Sequence, residues 1–81
     1  MLLELQSGKK AVGRKQSQRA IQDGKARKLF LAEDADASIR QEMQELCQTR
    51  GVEVALVPTM AELGRSCGIQ VGAAAAALLE E

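Results

Sequence analysis

Lys28-Leu29-Phe30-Leu31-Ala32-Glu33-Asp34 and, further on, Gly51-Val52-Glu53-Val54-Ala55-Leu56-Val57-Pro58 are the stretches on which the fold class turns. The first is a continuous apolar run that stops at two acids, the pattern of a strand covered on both faces. The second reads as another buried strand, over Val52–Val57, closed by Pro58, which cannot donate to a ladder. Between them Ile39, Met43, Leu46 and Cys47 recur at i, i+4, i+7 and i+8. That spacing predicts an amphipathic helix over 36–50, with Asp36 as its N-cap and Gly51 as its stop.

Working outward toward the C-terminus, Thr59-Met60-Ala61-Glu62 matches a capping box and predicts a short helix running to Cys67 and ended by Gly68. Ala73 to Leu79 is ambiguous. Alanine favours helix by intrinsic propensity, whereas the alternation of helix and strand before it makes a strand the natural next element, and strand is preferred. Toward the N-terminus, Gly8 and Gly13 bracket a loop with room for a very short strand. Residues 14–23 then predict a helix with Ser17, Ala20 and Ile21 on a thin apolar face and Gly24 as its stop. Residues 2–7 read as a further short helix. Together these predict one domain over 1–81, of α/β class, with helices on both sides of a small, mostly parallel or mixed sheet.

Composition narrows the function. The chain has 81 residues, 46% hydrophobic and 27% charged, which suits one small domain that buries about 60% of its unfolded surface. No apolar run approaches a membrane span and the start lacks a basic region, so a cytoplasmic protein is expected. Histidine, tryptophan and tyrosine are absent and Phe30 is the single aromatic. These absences remove the usual Ser–His and Cys–His pairs, most zinc sites, and base stacking on aromatic platforms. Cys47 and Cys67 read as buried thiols rather than a disulfide. The net charge of zero hides a split: residues 1–28 carry eight basic residues against two acids, a net +6, and residues 29–81 carry three against nine, a net −6. One strongly positive end, attractive to polyanions, is therefore expected.

Four segments bear on chemistry. Gly8-Lys9-Lys10-Ala11-Val12-Gly13-Arg14-Lys15 has the outline of a phosphate loop, but Arg14 and Lys15 stand where lysine and a hydroxyl belong. Gly13-Arg14-Lys15-Gln16-Ser17-Gln18-Arg19 opens a helix, where free N–H groups favour phosphate, and Lys15 and Arg19 share a face. Charge alone favours a solvated basic helix. In Leu63-Gly64-Arg65-Ser66-Cys67-Gly68-Ile69-Gln70-Val71-Gly72, two glycines bracket Ile69-Gln70-Val71, whose apolar residues either cap an unstacked base from a loop or start the last strand and point inward. Glu33, Asp34 and Asp36 suggest a metal less than helix capping.

The blocks Gly13–Gly24 (G-R-K-Q-S-Q-R-A-I-Q-D-G), K-L-F-L-A-E-D-A-D and L-G-R-S-C-G-I-Q-V-G-A-A, in this order, resemble the kink-turn RNA-binding ribosomal-protein family (the "L-seven-Ae" family), and its small bacterial YbxF-type branch in particular. The resemblance covers about residues 3–80. It implies a three-layer α-β-α sandwich, with the tail as a strand. It also implies binding of the bent RNA of a kink-turn beside tandem G·A pairs. On that likeness Gly13 allows close backbone approach, Lys15 and Gln16 meet guanine edges, Arg19 a neighbouring phosphate or base, and Arg14 a further phosphate. Ile69, Gln70 and Val71 pack on splayed nucleotides. The chain departs from archaeal and eukaryotic relatives, which carry Asn-Glu at Lys15-Gln16; its second loop lacks the proline of archaeal members, and Met60 stands where many relatives place a basic residue.

The expectation is thus a non-catalytic, monomeric binder of structured RNA, associated with the ribosome or another ribonucleoprotein, with no cofactor and no membrane. The competing reading is a protein-interaction adaptor of the same fold acting through its acidic half and the helix 36–50.

Overall fold

In the computed structural model, residues 8–80 are described; the helix expected over 2–7 lies outside them. Seven elements follow in order: β1 (Lys10–Val12), α1 (Arg14–Gln22), β2 (Ala26–Ala32), α2 (Ala37–Arg50), β3 (Glu53–Val57), α3 (Met60–Ser66) and β4 (Ala75–Leu79). The sheet order is β1-β4-β2-β3. β4 lies antiparallel between β1 and β2, and β2 pairs parallel with β3, so the sheet is mixed. The alanine tail is therefore a strand, and a central one.

Side chains alternate across the sheet as its pleat requires. Leu29, Leu31, Ala75 and Ala77 face α1 and α2, which add Ala20, Ile21, Met43 and Cys47. Phe30, Ala32, Ala76 and Leu78 face the opposite way, against Leu63 of α3 and Cys67. These are two half-cores on either side of one sheet, the expected three-layer sandwich. The large side chains come from β2 and the helices. The first three residues of β4, Ala75–Ala77, contribute only methyl groups, which lets helices on both faces approach closely there.

Two local expectations change. β3 starts at Glu53 and is an edge strand, not a second buried one: Val57 alone is fully buried, and Leu56 is 54% exposed. An apolar run fits an edge strand as well as a central one, because burial depends on which strands lie beside it. Asp36 occupies the N-cap position of α2, but its side chain makes no capping bond. Asp34 instead works at a distance: its Oδ1 accepts from the Met60 N–H at 2.7 Å and caps α3. The Thr59 Oγ1 accepts from the Glu62 N–H at 3.1 Å, as the capping box predicts.

Candidate nucleic-acid interface

The tip of α1 is set by Gly13. Its φ of 105° lies where side-chain-bearing residues are strained. The Gln16 Oε1 also lies 3.1 Å from where a Cβ on Gly13 would stand. The Gly13 N–H donates to the Ala75 carbonyl at 2.9 Å, pinning the tip to the start of β4. Ser17, fully buried, donates its hydroxyl to the Ala11 carbonyl at 3.2 Å and ties the first turn of α1 to β1. Ala20 and Ile21 anchor the same face, so the helix axis is fixed by the apolar stripe the sequence showed.

Lys15, Gln16 and Arg19 are exposed and line one surface hollow of about 210 Å³. No side chain caps α1, and its first turn holds no acid. Arg14 and Lys15 therefore place two cations at the positive pole of a helix, the end where anions are favoured. α3 differs: Asp34 and Thr59 already serve its N-terminus. Arg14 is engaged elsewhere, its guanidinium 3.1 Å from the Glu42 carboxylate of α2. That pair is half exposed and is worth no more than about 1 kcal/mol, so it tethers α1 to α2 without locking Arg14. Arg50 ties the other ends of these helices, donating to the Gln22 carbonyl at 3.3 Å.

Ile69, Gln70 and Val71 lie in a loop, not in β4, and are exposed: Ile69 by 36% and Val71 by 72%. The loop returns along α3. A Cβ on Gly64 would stand 2.1 Å from the Val71 carbonyl oxygen, so Gly64 lets the loop lie against the helix. The Ile69 N–H donates to the Gly64 carbonyl at 3.1 Å and the Ala73 N–H to the Met60 carbonyl at 3.0 Å. Met60 is thus half-buried beneath the loop beside Gly72 rather than offering a surface contact.

One backbone bond sets the two predicted segments at the same end of the sheet. Gly13 is bonded to Ala75, four residues past Val71, and such a length of chain spans at most about 14 Å. The expected single positive end is divided, however. The Lys9 carbonyl accepts from Leu79 and the Lys25 carbonyl from Glu80, so these lysines flank the far end of β4. Only Arg14, Lys15 and Arg19 of the basic residues in 1–28 belong to α1. Strand pairing, which sequence does not reveal, separates the two groups.

Among the described residues no group of three or more His, Cys, Asp or Glu is placed to hold a metal, and no helix is long and apolar enough to cross a membrane. Cys47 and Cys67 are buried free thiols. Burial pushes Cys47 up to about 11. Sequence reading passed over Ser17 as a hydrogen-bonding residue, over Glu42, and over the packing role of Gly64 within its candidate segment. Of these only Gly64 carried a signal: glycine inside a helix costs about 1 kcal/mol, so it needs a packing reason.

The sequence profile of the ribosomal protein L7Ae/L30e/S12e/Gadd45 family matches residues 2–81. An RNA-binding protein of Geobacillus sp. (strain WCH70) is 48% identical over 75 residues, covering 93% of this chain and 92% of the relative. The RNA-binding protein YbxF of Geobacillus stearothermophilus is 44% identical over 75 residues, with the same coverage of 93% and 92%. Among solved structures, the 15.5kD RNA binding protein of Giardia lamblia superposes with a TM-score of 0.86 at 24% identity, covering 99% of this chain and 72% of that one. The likeness is one of fold.

Proposed function

The chain belongs to the ribosomal protein L7Ae/L30e/S12e/Gadd45 family, and from that membership we propose that it binds structured RNA without catalysis, stabilising the bent kink-turn beside tandem G·A pairs as a cytoplasmic, monomeric part of a ribosome or other ribonucleoprotein. One observation carries the reading. The N-terminus of α1 lacks a side-chain cap and any acid in its first turn, yet it displays Lys15, Gln16 and Arg19 around one hollow. That arrangement leaves N–H groups and cations facing the same way, which suits phosphate and guanine edges. Lys15 donates to guanine O6 and N7, and Gln16 both donates and accepts at a base edge. Arg19, one turn on, meets a phosphate. Gly13 allows the backbone to approach. Arg14 adds a phosphate contact by giving up Glu42. Ile69, Gln70 and Val71, held near the start of β4, cover the splayed nucleotides and keep water from them.

A free kink-turn samples bent and extended forms. A protein that prefers the bent form shifts that population by its differential affinity and no more. The test is a titration with a kink-turn RNA beside a control whose G·A pairs are made Watson–Crick. Tight binding to the first alone is expected. Lys15→Ala and Gln16→Ala each narrow the preference by about 5-fold or more, the worth of a good base-edge contact. Equal affinity for both RNAs would transfer the function to the adaptor reading and its acidic helix α2.

A further inference from the structure

On the α3 side of the sheet a second depression, of about 340 Å³, is lined by Lys10, Arg65, Ser66, Cys67 and Gly68. We infer that it is a phosphate-binding site, distinct from the α1 tip, formed by the Lys10 ammonium, the Arg65 guanidinium and the Ser66 hydroxyl.

Three observations converge. Lys10 and Arg65 come from elements far apart in sequence, β1 and α3, yet line the same hollow, and neither has a carboxylate at ion-pairing distance among the described residues. Two unpaired cations sharing a depression repel one another unless an anion lies between them. Ser66 is 1% exposed and its Oγ has no hydrogen-bond partner. A buried hydroxyl left without a partner is destabilising, so its retention calls for a reason. Ser66 borders the hollow, so an oxyanion seated there would be the partner its hydroxyl lacks. The Lys10 charge also acts on the neighbouring Cys67 thiol, opposing the upward push of burial, which places the ammonium within electrostatic reach of this turn.

The end of a helix is ordinarily the wrong pole for an anion. Here the carbonyls of Leu63, Gly64 and Arg65 already accept from the N–H groups of Cys67, Ile69 and Gly68, so that pole is tied up within the turn. Gly68 leads directly into Ile69, so the depression adjoins the loop assigned above to splayed nucleotides. A backbone phosphate of an RNA strand running past that loop and a free phosphate ion share the chemistry the depression selects.

The experiment uses the full chain. Inorganic phosphate is titrated at constant ionic strength into isotopically labelled protein, and amide shifts and Tm are followed. Saturable shifts at Ser66, Cys67 and Gly68 are expected, weakened at least 5-fold by Arg65→Gln and by Lys10→Gln and unaffected by Lys15→Ala. Ser66→Ala should raise Tm without phosphate, because it removes the orphaned hydroxyl, and should shrink the rise that phosphate causes. A merely structural serine would not show both. A second arm compares a kink-turn RNA with a long stem against a trimmed one. If the source is RNA, Arg65→Gln lowers the salt slope of binding by about 0.7–0.9, one phosphate, with the long stem only, and leaves the G·A preference intact. Phosphate shifts with an unchanged RNA slope identify a free phosphate as the ligand and still support the site. Phosphate that leaves Ser66 to Gly68 unmoved, or moves only residues of the α1 tip, overturns it. Loss of the G·A preference in the unsubstituted protein would sink the kink-turn reading alone, since the phosphate arm uses no RNA.

Discussion

Position 13 calls for glycine on backbone grounds. Its φ of 105° strains any side chain, and a Cβ there would also press on the Gln16 carboxamide, 3.1 Å away, which would have to shift by a few tenths of an ångström. Gly13→Ala is therefore expected to cost about 1–3 kcal/mol in urea unfolding, the price of a non-glycine residue in that region. It should also weaken RNA binding beyond what the lost stability explains, because it displaces Gln16. At this scale the sequence was readable wherever the information is local. Lys15 and Arg19 share a face because four residues separate them, and Ser17, Ala20 and Ile21 are buried as their spacing predicts. What sequence did not give was any partner made by folding. Arg14 meets Glu42 across 28 residues, and nothing in either neighbourhood announces the other.

Among elements, α3 and the loop after it form the most constrained unit. Gly64→Ala would set a Cβ 2.1 Å from a backbone oxygen of Val71, and backbone cannot turn aside as a flexible side chain does. The loop must lift, with an expected loss of about 1–3 kcal/mol, the range for overpacking. The Ile69 and Val71 amides should shift while those of α2 stay in place, which an amide spectrum reads directly. Asp34→Ala removes the cap on Met60 and should cost about 1 kcal/mol by thermal unfolding. Helix α2 and strand β2 were legible because periodicity and length speak for them. β3 was misjudged as buried because Val, Ala and Leu satisfy an edge as well as a centre, and only the strand order decides. The alanine tail was undecidable by propensity alone. Its strand assignment came from the alternation of elements and from family likeness.

For the whole molecule, the charge split in the sequence was real, but its placement was not legible. Lys9 and Lys25 flank one end of β4 and the α1 tip is pinned to the other. Replacing Lys9 and Lys25 together by glutamine should leave the preference for bent RNA unchanged and lower affinity for kinked and control RNAs alike. The effect should fade at high salt as surface attraction is screened. Stability has its own pH signature. The thiol of Cys47 is fully buried and held protonated up to about 11 against an ordinary 9.0, so its contribution is complete below pH 9.0 and is lost as pH rises through 11. By that pH about 2 kcal/mol should be gone. Unfolding curves of Cys47→Ala, weaker at neutral pH because of the cavity, should show a flatter alkaline decline. Finally, Ala75, Ala76 and Ala77 are fully enclosed, with helices above and below. Their methyls are the spacers that set the calliper width of the domain. Exchanging exposed residues leaves that width unchanged, but a valine at any of these three would jack the layers apart. Diversification of this scaffold is thus confined to its skin and its rims, while its waist stays at the width of a methyl group.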